Sequence, residues 1–177
     1  MTELPEDFDI LALHSALDLK RQTLGLSWAG VARALWDQSS LLNQKDKFHP
    51  LSPSTITSMM KMGDTSCQHA LFMLRWLDCG PEVFVLGSKW KQEDIQLPVA
   101  GKEHRLRWNL NRLYEELNSQ RVTRGLTWLQ LATELRCTPS QLTGIKRSKF
   151  TMSMILAMRI TTWLDRPARE FIYVSSR

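Results

Sequence analysis

The chain has 177 residues, 43% of them hydrophobic and 23% charged, with seven Trp and only two Tyr. That length allows one large domain or two small ones with cores of their own, and the hydrophobic fraction excludes a wholly disordered chain. No apolar run approaches the ~20 residues of a membrane span. The acidic start Met-Thr-Glu-Leu-Pro-Glu-Asp is the opposite of a signal or transit peptide. Three cysteines, Cys67, Cys79 and Cys137, are too few and too odd in number for a disulfide scaffold. A cytoplasmic protein with reduced thiols is expected.

The net charge of +5 conceals an asymmetry. Residues 1–86 carry seven Lys and Arg against ten Asp and Glu, a net −3, and residues 87–177 carry sixteen against eight, a net +8. A polyanionic partner is expected for the second half, against the plainer reading of a solvated basic surface.

In chain order, Ile10, Leu13 and Leu17 lie on one face of a first predicted helix that stops before Gly25. Ser27 caps a second helix carrying Trp28. The stretch Asp37–Pro50, polar at both ends, is read as a loop. Ser52 and Pro53 open a third helix, and a fourth runs into Trp76-Leu77-Asp78. Residues 87–104, with Gly87, Pro98, Gly101 and mixed charges, form the connection. Leu106, Leu110, Leu113 and Leu117 then mark one long amphipathic helix ending near Gly125. Thr127 caps a short helix with Trp128, Leu131, Ala132 and Leu135 on one face. Thr138 caps another whose first residue is Pro139, where a missing N–H is harmless. A last helix runs from about Thr151 to Leu164 and breaks at Asp165-Arg-Pro. The apolar tails Val83–Leu86 and Phe171–Val174 fit either final helical turns or a small pair of strands.

This order of elements occurs twice because the sequence repeats. Arg21-Gln-Thr-Leu-Gly-Leu-Ser-Trp-Ala-Gly-Val-Ala-Arg-Ala-Leu35 returns 100 residues later as Arg121-Val-Thr-Arg-Gly-Leu-Thr-Trp-Leu-Gln-Leu-Ala-Thr-Glu-Leu135. Ser52-Pro-Ser-Thr-Ile-Thr57 matches Thr138-Pro-Ser-Gln-Leu-Thr143 at a shift of 86, and Trp76-Leu-Asp78 matches Trp163-Leu-Asp165 at 87. The first copy therefore carries an insertion near 37–50. Two domains are expected, over 1–86 and 105–177.

Two short helices joined by a tight turn, with a longer helix before and another after, describe a helix-turn-helix unit. The set Arg121-x3-Gly125-Leu-Thr-Trp-Leu-x-Leu-Ala132-x2-Leu135, followed by Thr138-Pro-Ser-Gln-Leu-Thr-Gly-Ile145-Lys-Arg-Ser-Lys149, resembles the Cro/C1-type (XRE-like) helix-turn-helix family. The resemblance covers most of both halves. It implies an all-α fold of two tandem domains with four to five helices each, and sequence-specific binding to double-stranded DNA with the third helix in the major groove. By position it implies base reading by Ser140, Gln141, Thr143, Gly144 and Arg147, with Pro139 among them. Gln141 suits adenine, and the Thr143 methyl suits a thymine methyl. Arg121, Arg124, Thr127, Arg136, Lys146 and Lys149 would hold phosphates, which supply affinity rather than sequence choice.

The chain departs from the family in two ways. Trp28 and Trp128 stand where many members have Gln, and core packing is their expected role. The family's Arg–Glu pair is replaced by Arg121 with Lys146 and by Arg21 with Met60, which frees Arg121 for a phosphate. In the first copy the weaker candidates are Ser54, Thr55, Thr57, Ser58 and Lys61. Its Met59-Met60-Lys-Met62 run reads as core filling or as a surface for a partner.

Other chemistry is weak. Gly25-Leu-Ser-Trp-Ala-Gly30 lacks nucleophile-elbow spacing. Cys67-x-His69 with Cys79 lacks zinc spacing, and no Gly-rich phosphate loop occurs. Neither an enzyme, a cofactor nor a metal is expected. The expected function is a nucleoid-associated DNA-binding regulator, with an antitoxin- or adaptor-like protein-interaction module as the alternative. The fused copies could imitate a dimer on adjacent half-sites, or two chains could form a homodimer through their acidic first copies; charge favours the second.

Overall fold

A computed structural model describes residues 6–45, 49–148 and 151–177. These residues form a mainly helical structure with one two-stranded antiparallel sheet. Among the described residues no helix is long and apolar enough to cross a membrane.

The first half contains α1 (Ile10–Thr23), α2 (Trp28–Asp37), α3 (Ser40–Lys45), α4 (Pro53–Met62) and α5 (Cys67–Leu77). After α6 (Gln92–Ile95) and β1 (Arg105–Trp108) come α7 (Leu110–Thr123), α8 (Trp128–Glu134), α9 (Pro139–Thr143), α10 (Met154–Leu164) and β2 (Ile172–Ser175). Equivalent helices share caps. Ser27 and Thr127 each accept from the third residue of the helix they start, as do Ser66 and Ser153 for α5 and α10. Asp78 and Asp165 end those two helices in the left-handed region, at φ 54° and 58°. Leu13, Leu17 and Leu35 in one copy and Leu113, Leu117 and Leu135 in the other belong to one continuous buried cluster.

Three expectations change. Leu106 does not extend the long helix: it is buried in β1, and α7 starts four residues after it behind Asn109, whose side chain accepts from Arg112 N at 3.0 Å. The tails form both a turn and a strand. Single 3₁₀ turns at Pro81–Phe84 and Ala168–Phe171 lead into a Phe8–Val85 bridge and into β2, which pairs with β1 through Trp108–Ile172. The insertion is partly helical. The Leu41 and Leu42 amides of α3 both donate to the Lys102 carbonyl, and Asn43 donates to the Trp36 carbonyl at 2.7 Å. Residues 46–48 of it lie outside the described residues.

The connection is fastened to both copies. The Arg75 guanidinium donates to the carbonyls of Gln38, Ala100, Gly101 and His104 and to Ser39 Oγ. Arg169 donates to the Glu93 carbonyl, and α6 packs on the turn at Ala168–Phe171. A coil free to span two independent domains is not what residues 87–104 form.

The two copies meet across a local two-fold. Ser66 and Ser153, equivalent caps, form an antiparallel bridge in which Cys67 N donates to Met152 O (2.7 Å) and Met154 N to Thr65 O (2.8 Å). Around it, α5 packs on β1 of the other copy: Gln68 Nε2 donates to Leu106 O and Trp108 Nε1 to Cys67 O. Asp64 accepts from Ser153 Oγ and from Ile155 N, so the first copy caps α10 of the second.

Glu82 is buried at the same junction. One carboxylate oxygen accepts from Ala168 N at 2.6 Å; the other has no hydrogen-bond partner among the described residues. Burial raises its pKa, against the smaller opposite effects of the Ala168 and Glu82 amides. The folded state therefore holds this proton more tightly than the unfolded chain does, and stability falls as pH rises from the ordinary carboxylate range through the raised value. Glu82→Gln keeps the acceptor for Ala168 and removes the charge. We expect it to stabilise the protein at pH 7 by about 1–3 kcal/mol and to flatten this part of the pH dependence, both read by urea unfolding at pH 5 and 7.5. A destabilised variant at pH 7 would show that the ionised form is held favourably.

Candidate nucleic-acid interface

The second copy assembles its candidate residues on one short stretch. Thr127 and Gln130 exchange bonds in a capping box at the start of α8: Gln130 N donates to Thr127 Oγ1 at 3.1 Å and Thr127 N to Gln130 Oε1 at 2.8 Å. The chain turns through Leu135, Arg136 and Cys137, with Arg136 at φ 54°. A second box then opens α9: Gln141 N donates to Thr138 Oγ1 at 3.3 Å and Thr138 N to Gln141 Oε1 at 2.8 Å. The helix ends after five residues, and Ile145–Arg147 continue as a 3₁₀ turn.

Ser140, Gln141, Thr143, Lys146 and Arg147 are all exposed here, and Gly144 is half-buried at the helix end. Gln141 also serves the capping box. Its carbonyl oxygen is engaged by Thr138, so the bidentate pairing with adenine expected from the sequence would require opening the box; the amide nitrogen remains for a base. Thr143 Oγ1 donates back to the Pro139 carbonyl at 3.2 Å, leaving the methyl as the group it presents. Ser140 Oγ lies 3.1 Å from Thr138 Oγ1.

The phosphate set divides. Arg121 is not free. Its Nε and one terminal nitrogen donate to Asn118 Oδ1, the other to the Leu126 carbonyl, and the guanidinium lies 4.4 Å from the Trp128 ring centroid. Arg21 repeats this with Asp18, Leu26 and Trp28, so both arginines are held by equivalent local partners. Arg136 is also committed, at 3.0 Å to Asp7, which Arg159 holds at 2.8 and 2.7 Å. The hydrogen bond from Arg159 leads in holding the Asp7 carboxyl below its ordinary pKa, with the charges of Arg159 and Arg136 behind it. Lys146 lies 4.9 Å from the Tyr114 ring centroid and 3.6 Å from Glu115, with 43% of its side chain exposed. Arg124 covers Trp163 at 4.0 Å and stays exposed. Thr127 spends its hydroxyl on the cap. Lys149 lies outside the described residues.

Trp28 and Trp128 pack against the rim of the core and are only half-buried. Trp128 stacks on Tyr114 at 5.7 Å and 19°, which makes a ladder of Lys146, Tyr114, Trp128 and Arg121.

In the first copy α4 is a regular ten-residue helix, closed by Gly63 at φ 67°. Ser54, Thr57, Ser58 and Lys61 are exposed on it, and Thr55 is half-buried. Of the methionine run, Met59 is core, whereas Met60 and Met62 are 41% and 75% exposed.

Burial pushes the Cys67 thiol up to about 12 and the Cys79 thiol up to about 11, and it raises Cys137 as well. Among the described residues no His, Cys, Asp and Glu group has the arrangement of a metal site.

Compared with models of protein families, with curated proteins and with solved structures, the chain matches none.

Sequence reasoning missed Asp7, Asp64 and Arg75. Their partners lie between 25 and 152 residues away in the chain, so no local pattern reports them. One signal was available for Asp64: its equivalent in the second copy is Thr151, and a residue that differs between copies can serve the junction asymmetrically.

Proposed function

We propose that the chain is a sequence-specific DNA-binding regulator built from two Cro/C1-like helix-turn-helix units, with α9 presented to the major groove. The observation that carries this reading is the exposed polar surface of Ser140, Gln141 and Thr143, continuous with Lys146 and Arg147 and held by two capping boxes. Hydroxyl, amide and methyl groups read base edges, and the cations hold the backbone. Such a protein acts by occupying a site.

The net charge of the second half supports this less than the sequence implied, because many of its arginines are internal. Arg105 and Arg107 are 3% and 6% exposed, and Arg121 and Arg159 serve the fold. Lys146 and Arg124 remain for phosphates, and Arg147 stays exposed for a base edge.

Selection from a random-sequence duplex pool, followed by a salt titration on the recovered site, tests the reading. Arg147→Ala is expected to cost about 1–3 kcal/mol on the selected site. Lys146→Ala should lower the salt slope by about 1 on every sequence. Unchanged affinity in both variants would sink the α9 surface as the reading element.

The exposed Met60 and Met62 favour a second reading, a protein-interaction module. Phosphate contacts give a steep salt dependence that apolar protein contacts lack, so the same titration separates the two.

A further inference from the structure

The geometry points to one chain serving as its own dimer, with α4 reading a second half-site that differs from the one read by α9. This rests on the DNA-binding reading above and extends it to the first copy.

An antiparallel bridge between equivalent residues carries a two-fold axis at its centre, and the Ser66–Ser153 bridge is such a pair with reciprocal bonds. A second near-axis contact supports it: Glu82 takes the amide of Ala168, which is the equivalent of its own neighbour Pro81. Rotation by a two-fold leaves position along the axis unchanged, so α4 and the α9 segment stand at one level. Each also leads within a few residues into the bridge, from Met62 to Ser66 and from Arg147 to Ser153. The two candidate reading elements therefore flank the axis side by side, as half-sites related by a dyad require.

This arrangement replaces the pairing of two chains through their acidic first copies. The junction that such a dimer would need is already made inside the chain, by α5 on β1, by Asp64 on α10 and by Asp7 on Arg159.

Part of the acidic charge of the first half is neutralised by cations: Asp7 pairs with Arg159 and Asp18 with Arg21. Asp64 accepts from Ser153 and keeps its charge beside Ser54 and Ser58, so the attraction of this half-site for phosphate rests on Lys61. Asp9 caps α1. The α4 sequence Pro-Ser-Thr-Ile-Thr-Ser-Met-Met-Lys-Met contains no acid, and its one charge is Lys61.

The copies also predict unlike half-sites. A ten-residue helix presents Ser54, Thr57, Ser58 and Lys61, and a five-residue helix with a following turn presents Ser140, Gln141, Thr143 and Arg147. A symmetric operator cannot satisfy both.

The test uses the full chain and duplexes recovered from a random-sequence pool. Native mass spectrometry gives the stoichiometry, and hydroxyl-radical footprinting gives the extent of contact. One chain per duplex is expected, with protection of two unlike half-sites about one helical turn apart. Lys61→Ala should weaken binding by roughly tenfold and Ser58→Ala should relax preference at one half-site only, while Arg147→Ala affects the other. Both first-copy residues are exposed, and an unchanged melting curve shows each variant folded. Two chains on a palindrome, protection of the α9 half-site alone, or a Lys61→Ala variant with wild-type affinity would each overturn the inference while leaving DNA binding by α9 intact. Recovery of no duplex at low salt would instead overturn the DNA reading and this inference with it.

Discussion

Replacing Gly80 by Ala is expected to destabilise the protein by about 3 kcal/mol, at the upper end for overpacking. Gly80 has φ −80° and ψ 159°, a conformation any residue adopts, so backbone freedom is not what the position requires. The reason is steric. An added Cβ would stand 2.1 Å from the Ile95 carbonyl oxygen and 3.2 Å from its Cβ, and Ile95 is 5% exposed. A backbone atom cannot rotate aside as a side-chain end does, so α6 would have to leave its seat beside the turn at Ala168–Phe171. Gly25→Ala is the contrasting control: its φ of 65° costs an alanine about 1 kcal/mol, with nothing nearby to strike. Urea unfolding of both variants checks the order. Equal losses would mean that the connector yields freely.

Arg75→Ala should have a comparable effect, about 3 kcal/mol, by a different route. Five oxygen acceptors, four of them backbone carbonyls, converge on one guanidinium at 2.8–3.1 Å. Truncation leaves these acceptors without their donor, and half-buried acceptors must then recruit water or stay unpaired. Arg75→Lys should recover little, because a single ammonium cannot reproduce the planar fork. Hydrogen exchange localises the damage: amides of residues 100–104 should lose protection before those of α7. Uniform loss across the chain would show that Arg75 supports the whole core and not the connector alone.

These two expectations concern the part of the molecule least visible in the sequence. Residues 87–104 have the composition of a linker, with Gly, Pro and mixed charge. What holds them is the reach of Arg75 from α5 and the close approach of Gly80, neither of which leaves a periodic trace. The misreading of Leu106 has a related cause. Spacings of 4, 3 and 4 residues from Leu106 to Leu117 suit a helix, and the competing alternation in Arg105-Leu-Arg-Trp108 covers only four residues. Strand pairing with residues 172–175 decided between them, since β1 satisfies its backbone groups from the far end of the chain.

The candidate interface divides in the same way. Thr127, Thr138 and Pro139 were legible because a cap or a first-turn proline acts within one helical turn, where sequence distance and spatial distance agree. The exposure of Ser140, Thr143 and Arg147 followed from the same period. The commitment of Arg136 did not, because its acceptor Asp7 lies 129 residues away. Gln141 and Arg121 are held by Thr138 and Asn118, each three residues away, so a capping-box spacing and an i, i+3 pair carried that information in the sequence itself.

The sequence by itself determined the duplication, the order of helices in each copy, most of their caps and the residues that fill the core, because these depend on local periodicity and on identity between copies. Tertiary structure alone decided that the copies share one core, that a dyad runs through Ser66 and Ser153, and which arginines remain exposed. Those outcomes depend on contacts between residues up to 152 apart, and the interactions that select them, a buried guanidinium or a carboxylate held by an arginine, are specified by three-dimensional proximity and carry no spacing rule along the chain.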